Sequence, residues 1–327
     1  MEKQPIFKTV DPAQASIQEC YKLLVAGVGP RPIALVSTVS KEGINNLSPF
    51  SFFNAFGANP PVIAFSPTLR GRDGTAKDTL KNLKEVPECV VHSVPYAIVQ
   101  QMSLSSTEYP SGVDEFLKSG FTPITSDIVK PKRVLESPFH MECKVMQIIS
   151  LGDKNASGNL IICEVLKLHI NEKIMQDGII QPDLIDLVGR NSGNFYTRAS
   201  GQALFEIEKP LSSIGIGVDA LPSHIRTSEI LSANNLGQLG TASALPSDEE
   251  VKEFIQISQN NHLPEEETVG MDNSQYLFHF GMSLFKNDAP KSMALMETAA
   301  KRALEDNDLD FALKALLAIP VMKRKNK

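Results

Sequence analysis

Through the first two thirds of the chain, apolar positions come in short β-branched bursts separated by Gly, Pro, Asn and Ser. A burst at 33–39 (IALVSTV) reads as a strand, and Ser40-Lys41-Glu42-Gly43 follows with turn chemistry. Residues 44–53 read as the partner arm, which Asn59-Pro60-Pro61 stops, and 62–66 form another strand. Leu80 and Leu83 then fall at helical spacing, with Asp73 or Thr75 placed to cap the helix and Pro87 to close it. Residues 89–94 return to a strand. Ile98, Val99 and Met102 mark one face of a helix over 95–105, and a turn with a short helix occupies 108–120. Strands over 139–150 and 160–170 are joined by the turn GDKNASGN. An early helix over 15–25 ends at Gly27 and Gly29, before Pro30. Many strands with few intervening helices and antiparallel-style turns point to a mainly β fold with some helix, a barrel rather than a doubly wound sheet.

After Pro210 the pattern changes. Residues 211–246 show no sustained period. Ser247 and Glu250 form a capping box for a helix over 247–259, striped by Val251, Phe254 and Ile255. Helices are also expected over 274–286 and 290–304, with a short last one over 311–317 after the turn EDNDLD. The basic run KRKNK ends the chain as a solvated tail. Two domains follow, 1–210 and 211–327.

At 327 residues the chain is long enough for a large core plus an appendage. Its formal net charge of -6 gives no long-range attraction for nucleic acid or an anionic membrane. The first twelve residues lack the apolar core of a secretory signal, and no apolar run is long enough to cross a bilayer, so a cytoplasmic location is expected. The four cysteines, Cys20, Cys89, Cys143 and Cys163, are widely spaced in apolar surroundings, which suits reduced core thiols.

No metal site is expected. There is no H-E-x-x-H and no C-x-x-C. His140 and Cys143 lie three apart, which on a strand puts them on opposite faces; Cys163 and His169 share a face but are separated along it by Val165 and Lys167. There is no G-x-S-x-G elbow, GVGPRP is not a dinucleotide fingerprint, and the loop after Gly71 does not follow the Walker pattern. Two stretches remain. Arg70, Arg72, Lys77, Thr75 and Thr79 gather cations and hydroxyls at a helix start, where free N–H groups suit a phosphate; the alternative is a solvated loop with an ordinary cap. Asn45, Asn46, Ser48, Ser51 and Asn54 interleave with Phe50, Phe52, Phe53 and Phe56, which suits a flat heteroaromatic ring with polar edges; the alternative is that the phenylalanines are core and the asparagines serve turns.

Taken in order, RPIALVST, NLSPFSFFN, PPVIAFSP, KDTLKNLKE and CVVHSV resemble the flavin reductase-like, flavoredoxin-type family of FMN-binding split β-barrels. VDEFLKSGFTPITS, PKRVLESPFHMEC and VGRNSGNFYTRASGQALFEIEKP extend the resemblance over about residues 8–210. The resemblance implies a homodimer of six-stranded Greek-key split barrels with FMN near the subunit interface. It would place Arg31, Ser37, Thr38, Asn46, Ser48, Pro49, Phe50, Ser51, Phe53 and Asn54 along the ring and ribityl chain. Arg70, Lys77, Asp78 and Thr79 would sit at the 5′-phosphate. It also implies NADH or NADPH as hydride donor, with His140 and Arg190 on the nicotinamide side, and electron delivery to a flavin-dependent oxygenase or another redox protein. The chain has no Trp, so ring stacking falls to Phe or Tyr. Residues 211–327 lie outside the resemblance. Two other readings stand beside this one: a flavoredoxin-like electron carrier that does not oxidise nucleotides, and a binding protein that acts through its helical extension.

Overall fold

A computed structural model describes residues 6–207, 214–260 and 273–325. The chain forms two compact units, Met1–Glu206 and Ile207–Lys327. The boundary read from the sequence, at 210/211, lies outside the described residues.

The first unit is a mixed α/β structure. Helix α1 (Ile17–Gly27) is capped by the Ser16 hydroxyl, which accepts from the Glu19 amide. The strands β1 (Ala34–Val39), β2 (Asn45–Phe50), β3 (Phe53–Ala58) and β4 (Pro61–Phe65) follow. Then come α2 (Asp78–Glu85), β5 (Glu88–His92), α3 (Val99–Ser105) and α4 (Glu115–Ser119). A two-residue pair, β6 (Pro123–Ile124) and β7 (Arg133–Val134), precedes the long strands β8 (Phe139–Ser150) and β9 (Asn159–Ile170). The pair β10 (Met175–Gln176) and β11 (Ile179–Ile180), the short α5 (Pro182–Ile185) and the hairpin β12 (Val188–Arg190) and β13 (Tyr196–Arg198) complete it.

Seven strands, not six, form the main antiparallel sheet, in the order β2-β1-β5-β8-β9-β4-β3. The extra strand comes from the arm expected over 44–53, which is not one strand. It breaks at Ser51-Phe52 into β2 and β3, consecutive in the chain yet at opposite edges of the sheet. Seven flat strands would set those edges about 29 Å apart. Three Cα–Cα steps from Phe50 to Phe53 reach about 11 Å at most, so the sheet coils and its edges approach at this corner. Pro49 is tolerated within β2 because that strand is an edge.

Every residue of β1 is buried, which explains its unbroken apolar look. Ala34 and Val36 join a core with Phe50, Phe65, Leu80, Leu83, Val91 and Ile161. Ile33 and Leu35 face a second core with Leu47, Ile98, Met102 and Phe116. Leu80 and Leu83 are what anchor α2, and each full burial of this kind is worth about 2 kcal/mol. Cys89, Cys143 and Cys163 are buried free thiols in the first of these cores, whereas Cys20 is half-buried on α1.

The second unit is helical: α6 (Ser223–Arg226), α7 (Ala233–Leu239), α8 (Asp248–Asn260), α9 (Ser274–Leu284), α10 (Ala289–Glu305) and α11 (Leu309–Lys325). One core holds Leu239, Ile255, Phe278, Met296, Leu316 and Ile319. Ser247 and Glu250 exchange their capping-box hydrogen bonds at the start of α8. The last helix is not short. Pro320 lies inside it and leaves the Leu316 carbonyl without its helical donor. His224 Nε2 supplies one at 3.2 Å, and burial of Ala315, Leu316, Ala318, Ile319 and Met322 carries the helix through. Among the described residues no helix is long and apolar enough to cross a membrane.

Candidate functional site

The loop before α2 folds differently from the expectation. Asp73 does not cap the helix: its carboxylate accepts from the Thr75 amide at 2.9 Å and the Thr75 hydroxyl at 2.6 Å, closing a local turn. Those hydrogen bonds hold its pKa down to about 2. Nor does Thr75 cap α2. The helix begins only after Lys77, which occupies the N-cap position and contributes no side-chain hydrogen bond. Among the described residues, the backbone N–H groups of Asp78 and Thr79 have no acceptor. This is an anion-ready helix start with two free donors.

Lys77 adds the charge. Its ammonium lies over the Phe50 ring, 5.5 Å from the centroid, and has no hydrogen-bond or ion-pair partner among the described residues. Burial lowers its pKa from the ordinary value, with Glu108 pulling the other way and Arg70 adding to the lowering. Arg70 is fixed by its hydrogen bonds to the Thr75 hydroxyl and the Ala76 carbonyl, the latter at 2.8 Å. Asn46, Ser48, Ser105, Ser106, Thr107 and Glu108 complete this small hollow, whose free volume is about 40 Å³. Asp78 also lines it, but its carboxylate is engaged by Lys81 and Ser111.

Behind the hollow is a buried polar network. The Asn46 side-chain carbonyl accepts from Thr38 at 3.1 Å and Thr79 at 2.8 Å, and its amide donates to Glu115. Asn82 donates to the Thr38 hydroxyl, and the Leu47 amide to Glu115. Burial raises the Glu115 pKa, and these donors oppose the rise. The network ties α2 and α4 to the β1–β2 hairpin. It places Asn46 and Thr79 at the wall of the hollow and Thr38 behind them, with their side-chain groups already hydrogen-bonded to one another. Ser37 is fully buried as well, its hydroxyl donating to the Lys132 carbonyl.

Ser106 also lines a second, larger hollow of about 360 Å³. Pro49, Phe50 and Ser51 form one wall, Met102 and Ser103 another, and Arg190, Asn194 and Tyr196 of the β12–β13 hairpin a third. Together the two hollows form a polar groove along the edge of β2. Arg31 stands beside it and donates through Nε to the Ser51 hydroxyl at 3.4 Å. The rest of its guanidinium is spent on the Val25 and Val28 carbonyls at the end of α1, both at 2.6 Å, and on the Asn191 carbonyl. Arg190 donates to the Gly193 and Phe195 carbonyls and stacks on Tyr196, 4.5 Å from the ring centroid, which shapes the hairpin tip.

Besides Ser37 and Thr38, three expected residues are not brought to this groove. Phe53 and Asn54 lie past the Ser51-Phe52 corner and line a different, apolar cavity of about 540 Å³ with Phe139, Met141, Ile185 and Val188. His140 is buried between His92 and His169, with ring centroids 5.0 and 6.1 Å away, and lines neither hollow of the groove. Its Nε2 donates to the Ser137 carbonyl, its Nδ1 has no hydrogen-bond partner among the described residues, and burial lowers its pKa. His140 and Arg190 therefore do not share a site.

Ser103, Ser105–Glu108, Asn194 and Tyr196 also line these hollows without being singled out in the sequence; the hydroxyl-rich run SLSSTE across the end of α3 is the signal for the first five. Nor does the sequence single out the approach of Asp127, Glu142 and His169 to one another. The Glu142 carboxylate is taken up by the amides of Asp127, Ile128 and Val129 and by His169 Nε2, so it anchors a loop.

The sequence profile of the flavin reductase like domain matches residues 27–185, the span that contains most of this groove. An uncharacterized protein of Aquifex aeolicus is 36% identical over 57% of this chain and 93% of its own length. The chain belongs to the flavin reductase-like family. Among solved structures, nitrilotriacetate monooxygenase component B from Bacillus cereus is similar, with 30% identity and a TM-score of 0.59 over 62% of this chain and 100% of that one. The 2-nitrobenzoate 2-nitroreductase of Pseudomonas fluorescens is 28% identical, with a TM-score of 0.54 over 64% of this chain and 100% of that one. Membership carries an oxidoreductase function of the flavin reductase and flavoredoxin type.

Proposed function

We propose that the first unit is an FMN-binding split barrel that takes hydride from NADH or NADPH, and that the polar groove is its flavin site. The observation that carries this is the half-buried Lys77 ammonium, over the Phe50 ring and with no hydrogen-bond or ion-pair partner among the described residues, at an uncapped helix start beside Arg70 and at one end of the groove. An ammonium in that position is costly without an anion, and a terminal phosphate supplies one. FMN, when bound, supplies a hydride acceptor at its ring N5.

The protein's part is positional. Lys77, Arg70 and the Asp78 and Thr79 amides hold the phosphate. Ser48, Pro49, Phe50 and Ser51 form the wall along which the ribityl chain and ring lie. The Arg190 hairpin borders the groove where a nicotinamide approaches. His140, neutral and enclosed, takes no part in that reading. The coiled sheet with its approaching β2 and β3 edges supports the split-barrel reading.

A homodimer is supported by unpartnered apolar surface. Ile17, Tyr21, Leu24 and Val28 form a stripe along α1 and just past its end, each more than half exposed, and the cavity lined by Phe53 is apolar as well. A second copy of the chain is the occupant we assign to these faces. The Bacillus cereus relative is named as a monooxygenase component, which supports delivery of electrons to a flavin-dependent oxygenase or another redox protein. A cytoplasmic location is part of the same proposal. No nucleic-acid or membrane role is proposed.

The test is an oxidation assay with the purified protein. NADH or NADPH should be consumed at a rate that depends on added FMN. Bound FMN that ignores both nucleotides yet accepts electrons from a ferredoxin-like donor would instead favour the electron carrier.

A further inference from the structure

Glu108 has a place in this site that phosphate binding does not require. Its carboxylate stands between Arg70, which lines the hollow, and the exposed Arg72 outside it, Oε1 at 3.8 Å from Arg70 Nε and Oε2 at 3.8 Å from an Arg72 terminal nitrogen. Both contacts are long for ion pairs, and neither is a hydrogen bond. Arg70 does not need Glu108 for its orientation, because Thr75 and Ala76 already fix its guanidinium. Arg72 also has a closer carboxylate partner in Asp73, at 3.3 Å. The Glu108 side chain is 54% exposed, while its chain neighbours are fixed by turns: the Thr107 amide donates to Leu104 and the Tyr109 amide to Thr107. The backbone is thus held in place while a long, half-solvated side chain can reach into the hollow or swing out of it.

We infer that Glu108 is a displaceable stand-in for the flavin phosphate at the rim of the anion seat: it stands against Arg70 when the site is empty, leaving Lys77 and the two amides free, and sets how weakly FMN is held. This rests on the assignment of the hollow to a phosphate. Its carboxylate also favours the charged form of Lys77, whose ionisation burial and Arg70 oppose. The other nearby carboxylates are committed elsewhere. Asp73 is held by Thr75 and Arg72, Asp78 by Lys81 and Ser111, and Glu115 by Asn46 and Leu47. Glu108 is therefore the uncommitted negative group that an arriving phosphate meets beside Arg70. The consequence is selectivity by charge. The carboxylate penalises the dianion of FMN and is indifferent to riboflavin, which makes a phosphorylated flavin easier to release as an exchangeable substrate.

The experiment is an equilibrium titration of the full chain with FMN and with riboflavin, in wild type, Glu108→Gln and Lys77→Ala. Glu108→Gln is expected to tighten FMN about fivefold, the effect of one like charge at ion-pair distance in a hydrated site, and to leave riboflavin unchanged. Lys77→Ala weakens FMN selectively. If Glu108→Gln leaves FMN unchanged or weakens it while Lys77→Ala still discriminates, the stand-in is wrong and the phosphate assignment stands. An equal change for both flavins in Glu108→Gln also overturns it. If Lys77→Ala fails to discriminate between the flavins, both the stand-in and the phosphate assignment fall.

Discussion

Two cavities flank the Ser51-Phe52 corner, and they differ in almost every respect. On the Pro49–Ser51 side the groove is lined by hydroxyls, amides and guanidinium groups, with a lysine ammonium at its end. On the Phe53–Ala55 side the cavity is larger and walled by Ile63, Phe139, Met141, Ile185 and Val188. A two-residue corner separates a surface suited to a charged ligand from one suited to apolar contact. The stretch expected to form one wall therefore presents two different surfaces, one on each side of the place where the sheet coils.

The difference can be broken most severely by moving a charge to the wrong side. Ile63→Asp buries an unpaired carboxylate in the apolar core and is expected to cost more than about 4 kcal/mol, seen as a collapsed denaturation midpoint. Ser51→Asp puts the same group at the half-exposed groove wall beside the Arg31 guanidinium and should change stability by under about 1 kcal/mol. Comparable losses in the two variants would erase the distinction.

A smaller effect is expected behind the phosphate end. Thr79→Val removes the hydroxyl that donates to Asn46 and leaves a buried acceptor short of a partner, at about 1–2 kcal/mol in chemical denaturation. If the network only supports the helix start, the preference for FMN over riboflavin survives the substitution.

The smallest effect is on pH. Burial lowers the Lys77 pKa, so holding the ammonium destabilises the fold below that pKa, and the destabilisation fades as pH rises through it. A bound phosphate raises the pKa again. FMN binding must therefore take up a proton at alkaline pH and weaken as pH climbs through the lowered value toward 10.5, while riboflavin binding lacks this component. Kd measured for both flavins across that range should show the gap between them closing.

What was legible in the sequence was what local chemistry dictates. The buried run of β1, Leu80 and Leu83 in α2, and the Ser247–Glu250 box are each set within a few residues. The sequence marks the helix start near Lys77 by its cations, but not that the start has no side-chain cap. Asp73 and Thr75 satisfy each other in a turn, so neither is free for α2. The corner at Ser51-Phe52 was not legible, because what splits the arm is pairing with β4 rather than any breaker in the sequence. Arg31 could not be resolved for a similar reason: one of its acceptors, the Asn191 carbonyl, is 160 residues away. His140 looked available because nothing local reports that His92 and His169 enclose it. Pro320 hid the length of α11, since the donor that compensates for it comes from His224.

The central claim is that the groove ends in a phosphate seat built from Lys77, Arg70 and the start of α2. It is tested most directly by comparing FMN with riboflavin on the wild-type chain at low and high salt. The account predicts that FMN binds at least about tenfold more tightly, consistent with a charge-assisted contact, and that the advantage shrinks as ionic strength screens it. Equal affinity for the two flavins at low salt would contradict it.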